Sequence, residues 1–293
     1  MKYTNKHNLP KTLTDVIDKQ TYDISKSNPN RISVTTLINP PRVKLLGIRH
    51  WKELSEDYSE HLWRIVGSAY HYILAKTKED NRLVEEKMVE KIGDMEVVCK
   101  PDLYDEPTAE VSDWKITSLW HAKDYNLEWE LQLNCYAWAL RKLGFEVKKL
   151  VVNALLKDWR NAELRRYDDY PPIPFKQIEV KLWSFEDQDK FVHERVALYL
   201  SLKDAPDDKL PLCTPEERWQ TQTKYAVYNN ENKTATRVLD SMEQAQGFIV
   251  AENTKTPKNK YRIDIREGTD IRCANYCSVC VKCDYWKLNY GQK

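Results

Sequence analysis

With 293 residues, 41 % hydrophobic and 31 % charged, the chain has the composition of a globular protein and not of a fibrous or disordered one. A formal net charge of +1 provides no overall basic field, so any attraction for nucleic acid must come from local charge. No apolar run reaches the roughly 18 residues of a transmembrane helix, and the first fifteen residues lack the apolar core of a secretory signal. A cytoplasmic protein without membrane association is therefore expected.

In chain order, residues 1–30 are polar and mixed, and a short helix with a loose lead is expected. Residues 31–37 are rich in β-branched side chains and predict a strand, which Pro40-Pro41 breaks. Leu62, Ile65, Val66, Ala69, Ile73 and Leu74 recur at helical spacing and predict an amphipathic helix within 53–78. Three strands follow at 83–90, 96–103 and 109–117, with Gly93-Asp94 as a hairpin turn and Asp105-Glu106-Pro107 as a second turn. A helix over 128–143 carries Leu131, Cys135, Trp138 and Ala139 on one face and ends at Gly144. Strands at 147–156 and 178–183 come next, then a helix capped by Ser184 that runs to about Leu200. This order predicts an α/β core with a mixed sheet flanked by helices.

A Pro- and Asp-rich stretch at 204–215 divides a core, 1–203, from a small unit, 204–293. The small unit reads as ββαβ-like, from strands at 225–228, 235–239 and 260–266 around a helix at 241–252. The chain carries no internal repeat. Ten Trp and 17 Tyr can serve as base-stacking platforms or as core. From Arg141 to Arg166, eight Lys/Arg face Glu146, Asp158 and Glu163. That local excess suits either a phosphate track or a solvated surface.

The candidate site centres on Asp113-Trp114-Lys115. Alternate residues of a strand share a face, so the carboxylate and the ammonium point the same way. The same spacing also fits an exposed strand whose charges merely face water. Asp102, on the neighbouring strand, lets two carboxylates converge, and a divalent cation such as Mg²⁺ or Mn²⁺ relieves their repulsion. Such a site can activate water against a phosphodiester, with Lys115 orienting the water or neutralising the phosphate. His71, on the preceding helix, offers a nitrogen ligand or is a satisfied structural histidine. Gln132 and Tyr136, four apart on the following helix, share a face toward the site.

Seven cysteines include Cys273, Cys277, Cys280 and Cys283, separated by three, two and two residues. In a cytosolic chain this clustering points to metal rather than disulfides. Four ligands on so short a loop demand tight bends, and the distant Cys213 is an alternative fourth ligand. Cys99 and Cys135 fall on core elements and are expected to be buried small hydrophobes.

The ordered set Gly67-x-x-x-His71, Asp102, Asp113-x-Lys115 and Gln132-x-x-x-Tyr136 resembles the PD-(D/E)XK nuclease superfamily. Its RecB-like exonuclease branch, with CRISPR-adaptation and viral relatives, is the nearest match, and the likeness covers about residues 60–160. The resemblance implies a restriction-endonuclease-like fold and a metal-dependent nuclease. The substrate it implies is DNA, single-stranded or with free ends. His71, Asp102, Asp113 and the carbonyl of Ile116 would be metal ligands, and Lys115 the catalytic lysine. Gln132 and Tyr136 would support the site and bind DNA. Glu85 or Glu86 matches an acidic position on the first core strand. Asp113 stands where Glu is commoner, and Cys99 where Gly is frequent; neither removes a required functional group.

The same branch implies a [4Fe–4S] staple on Cys213, Cys273, Cys277 and Cys283. The three-residue gap from Cys273 to Cys277 and the additional Cys280 depart from its usual spacing. Cys213, Cys277, Cys280 and Cys283 form a second set, and zinc is the alternative metal. A homo-oligomer, or a recombination or replication partner, also follows from the resemblance; if the chain is viral, its location is the host cytoplasm. A catalytically silent DNA-binding scaffold and a zinc-binding interaction protein are the competing functions.

Overall fold

The computed structural model describes residues 1–77, 79–123, 125–167, 169–230, 232–255 and 260–291. They form two compact units, Met1–Leu210 and Pro211–Lys293. The first contains β1 (Lys2–Thr4), α1 (Lys11–Gln20), β2 (Arg31–Ser33), α2 (Val34–Leu37), α3 (Pro41–Arg49), β3 (Ser55–Asp57) and α4 (Leu62–Leu74). It continues with β4 (Arg82–Val84), β5 (Met88–Ile92), β6 (Met95–Cys99), β7 (Leu103–Asp105), β8 (Glu110–Thr117) and α5 (Leu127–Lys142). β9 (Lys149–Leu156), β10 (Phe175–Val180) and α6 (Phe185–Leu202) complete it.

A five-stranded sheet runs β10-β9-β8-β7-β4. It is mixed: β8 and β9 are parallel and the other pairs antiparallel. A smaller sheet, β2-β6-β5, covers the other side of α5, and β1 pairs with β3. The fold is thus mixed α/β with helices against its sheets.

The second unit contains β11 (Lys224–Asn229), β12 (Arg237–Leu239), α7 (Met242–Lys255), β13 (Tyr261–Arg266), α8 (Ile271–Asn275) and α9 (Asp284–Asn289). Its antiparallel sheet runs β12-β11-β13. Among the described residues, no helix is long and apolar enough to cross a membrane.

Several expected elements divide. The strand expected at 83–90 is β4 and β5, in different sheets, broken where Glu85 takes a φ of +55°. That expected at 96–103 is β6 and β7, interrupted at Pro101, which has no N–H for a ladder. Residues 31–37 turn from strand to helix because Ser33 Oγ accepts from Thr36 N and caps α2. The helix expected within 53–78 is Leu62–Leu74, entered through a capping box on Asp57 and Glu60; Lys78 lies outside the described residues. Its apolar stripe is not core: no residue of α4 is buried, and Ile73 is 63 % exposed.

Helix α5 is the opposite case. Asn126 caps it, Glu128 and Glu130 lie in its first turn, and Gly144 leaves its end at a φ of +88°. Eleven of its residues are buried, on every side and not on one face. Buried Asn134 is fully paired. Its Nδ2 donates to the Glu130 and Lys181 carbonyls, and its Oδ1 accepts from Trp183 N and Gln188 Nε2. Cys99 and Cys135 are both buried, as expected.

Residues 204–210 are tied back to the first unit: Arg42 donates to the Leu210 carbonyl and Arg49 pairs with Asp207. Asp207 also accepts from His50 Nε2 at 2.6 Å, and Glu53 lies 3.1 Å from His50 Nδ1. The Asp207 hydrogen bond, then that of Glu53, holds the His50 pKa above 6.5. A raised folded pKa contributes stability that is complete below the unfolded value and lost as pH rises through the folded one. Urea unfolding should therefore show the first unit weakening as pH climbs from 6.5 through the raised value, and Asp207→Asn should flatten that slope. A slope unchanged by Asp207→Asn would count against this contact.

Candidate active site

The β7–β8 hairpin sets the site. Its register pairs Leu103 with Ser112, which brings Asp102, at the bend before β7, beside β8. Asp102 Oδ2 accepts from Trp114 N at 2.7 Å, so the two aspartates converge. Asp113 and Lys115 do share a face: Nζ lies 2.6 Å from Asp113 Oδ2. Among the described residues no donor meets that buried oxygen with hydrogen-bond geometry, and Lys115 pairs with it by charge. Lys115 Nζ also donates to Gln132 Oε1 at 3.2 Å, and Gln132 Nε2 donates to Tyr136 OH at 3.0 Å. The structure thus gathers Asp113, Lys115, Gln132 and Tyr136 into one line from β8 into α5. Ile116, next on β8, lies in register with Leu155 of β9.

His71 reaches the site from α4. Its Nδ1 stands 3.4 Å from both Asp102 Oδ1 and Glu85 Oε1. Donor atoms of His71, Glu85 and Asp102 all lie within 4.8 Å of one another. Glu85, and not Glu86, joins the group, and Lys100 Nζ pairs with its other oxygen. Asp113 stands beyond this trio, close enough for its charge to reach His71 and Asp102. The choice of Glu85 depends on a backbone feature that a strand reading of 83–90 conceals. The positive φ at Glu85 breaks the strand, and its amide donates to the Asp102 carbonyl at 3.1 Å.

Charge in the site is out of balance. Burial pushes the Asp113 carboxyl up to about 6, against the pull of Lys115, and the charge of Asp102 adds to the rise. The Asp102 hydrogen bond, with the charges of Asp102, Asp113 and Glu85, holds His71 above its usual value. Burial drives the Tyr136 phenol well above its normal range. Two carboxylates and one imidazole with donor atoms within 4.8 Å of one another, and the Asp113 carboxylate beyond them, form a donor set that fits a hard divalent cation.

In the second unit, strand-like contacts bring the cysteine segments together. Gln220 bridges Asp270, Arg272 N donates to the Arg218 carbonyl, and Arg218 Nη1 donates to that of Cys213. Asp270 is buried and accepts from Arg218 Nε, Tyr285 OH and Tyr290 OH. Burial pushes Cys213 up to about 12 and Cys273 up to about 11, and both feel the charges of Cys277 and Cys283. Cys280 lies on a short turn, where its charge reaches Cys277.

The sequence matches no protein-family model and no curated protein. Among solved structures, the chain is similar to SSO0001 at a TM-score of 0.43 and 16 % identity, over 67 % of this chain and 89 % of that one. It is also similar to an alkaline exonuclease (LHK-Exo) from Laribacter hongkongensis at a TM-score of 0.34 and 12 % identity, over 65 % of this chain and 96 % of that one.

Gln132 bridges two groups that lie against the core, so its removal has a structural cost. Gln132→Leu should leave Lys115 and the Tyr136 hydroxyl without this partner and destabilise the first unit by about 1–3 kcal/mol in urea. An unchanged midpoint would show that water replaces the amide.

Proposed function

We propose that the chain is a divalent-metal-dependent deoxyribonuclease, acting on single-stranded DNA ends, of the type its ordered motifs resemble. The observation that carries this reading is the convergence of His71, Glu85 and Asp102 beside the Asp113–Lys115 pair. His71, Glu85, Asp102 and Asp113 would hold Mg²⁺ or Mn²⁺, with the Ile116 carbonyl as the further ligand the family likeness suggests. The bound ion would supply positive charge to the phosphodiester and lower the pKa of water.

The chain's own groups do the rest. Lys115 carries three N–H donors and, fixed by Gln132, can direct one toward attacking water or a non-bridging phosphate oxygen. Tyr136 holds the Gln132 amide and so its orientation. Lys100 offsets charge on Glu85 from the outer side. Labelled single-stranded DNA with Mg²⁺ or Mn²⁺ tests the reading. Asp113→Asn and Lys115→Ala should each slow cleavage by about 10²- to 10³-fold, with chelation abolishing it. Glu85→Gln should lower activity far more than Glu86→Gln. Parent-like cleavage by Asp113→Asn and Lys115→Ala would overturn the assignment.

For the second unit we infer a [4Fe–4S] cluster on Cys213, Cys273, Cys277 and Cys283. Arg218 bonded to both the Cys213 carbonyl and Asp270 supports a set that joins Cys213 to the C-terminal cysteines. Such a cluster would tie the segment at Cys213 to the α8–α9 segment. Protein purified without oxygen should be brown and contain iron, and Cys283→Ser should lose both colour and iron while Cys280→Ser keeps them. Colourless protein containing zinc would decide against the cluster.

A further inference from the structure

Beyond the turn after β8 lies a cavity of about 280 Å³. Thr117 and Leu156 are the last paired residues of parallel β8 and β9, and the cavity opens at that carboxyl end. Ligands of α/β sheets characteristically bind there. Leu119, Leu156, Pro171 and Phe175 give it apolar walls, and Tyr170 and Lys176 also line it. Lys176 Nζ uses one proton on the Ala122 carbonyl at 3.1 Å, which fixes its ammonium and leaves two donors. Lys123 lines the same cavity and is held by Asp169 at 2.9 Å on the exposed surface, where such a pair exchanges readily.

The cavity is connected to the acidic site by aromatic contact. Tyr70, next to His71, meets the Trp114 ring edge-on at 6.2 Å, and Trp114 meets Phe175 at 6.4 Å. Trp114 lines the cleft of His71, Glu85 and Asp102, while Phe175 lines the cavity. Lys115 and Leu119 are four residues apart, at most about 14 Å along the chain. The same end of the sheet presents Trp120, 74 % exposed, and Trp63, which carries Lys157 Nζ over its ring at 4.5 Å. Arg160 and Arg165 belong to the connection that forms one wall.

We propose that this cavity is a nucleotide subsite: it takes one unpaired base of the DNA strand engaged at the acidic site. Phe175, Tyr170 and the proline wall meet the base, and Lys176 and Lys123 meet its phosphate. Flat apolar walls accept any base by its π-face, and lysines supply a charge that is blind to sequence. The subsite would therefore favour a single strand over a duplex without reading sequence. It rests on the nuclease reading for the identity of the strand.

The test uses the full chain without divalent ions and DNA hairpins with a single-stranded tail of either polarity. The hairpin fixes the register, and the tail carries one abasic nucleotide at each position in turn. Parent protein should lose about ten-fold in affinity at one tail position and little elsewhere. Leu119→Trp, which fills the cavity, should bind the intact tail as weakly as the parent binds that abasic one, and show no position dependence. Lys176→Met should reduce the salt dependence of binding by about one counterion. Absence of any position-dependent loss, or the same loss persisting in a Leu119→Trp protein of parental melting temperature, would overturn the subsite. Cleavage of the same hairpins by the parent with Mg²⁺ or Mn²⁺ is read separately. Register without cleavage sinks the nuclease reading and leaves the subsite standing, and cleavage without register does the reverse.

Discussion

From Trp129 to Leu140 helix α5 is buried around nearly its whole circumference, so the polar groups it buries, Glu130, Gln132, Asn134 and Tyr136, must find partners inside the protein. That constraint organises the first unit. On one flank Asn134 directs three of its four hydrogen bonds to the 181–188 segment, which locks β10 and α6 to the helix. Arg141 extends the same seam to the Trp183 and Val147 carbonyls and to Gln188. On the other flank Gln132 and Tyr136 find Lys115, which fixes the helix over β8. Satisfying the buried polar groups and positioning the lysine are therefore one structural requirement, since a shift of α5 would break both.

The acidic site is held together by charges that do not cancel locally. Lys100 and Lys115 each compensate one carboxylate, and His71 is shared by two more contacts. Holding Glu85 in the left-handed region costs about 1–2 kcal/mol for a residue with a Cβ. Its amide recovers part of this by bonding Asp102, and the distortion turns a strand into a ligand-bearing corner. Pro101 does the corresponding job on the neighbouring run, ending β6 so that Asp102 sits at a bend.

In the second unit the comparable anchor is Asp270. One buried carboxylate collects Arg218, Tyr285 and Tyr290, and so joins the segment after Cys213 to the segments on both sides of the cysteine run. Arg218 stacks on Tyr285 and Arg272 on Trp219, which fills the space around these contacts with cationic faces. Thiolates would find compensating charge there.

Much was legible from local rules. The alternation of Asp113 and Lys115, the i,i+4 pair of Gln132 and Tyr136, the Ser184 cap and the Gly144 terminus depend on backbone periodicity, and the chain carries them wherever it folds. The mixed α/β class followed from the order of helical and β-branched runs. Tertiary structure decided the rest. It assigned the halves of 83–90 and 96–103 to different sheets and brought Glu85 to His71, because a positive φ and a proline act on direction, which hydrophobic pattern does not encode. It buried α5 and exposed α4, although α4 has the cleaner apolar stripe, because burial is set by how many sheets a helix meets. It joined the segment just after Cys213 to Asp270 and Arg272, with Arg218 bonded to Asp270 across 52 positions and Arg272 to the Glu217 carbonyl across 55, since those contacts belong to the Asp270 anchor and to no local spacing.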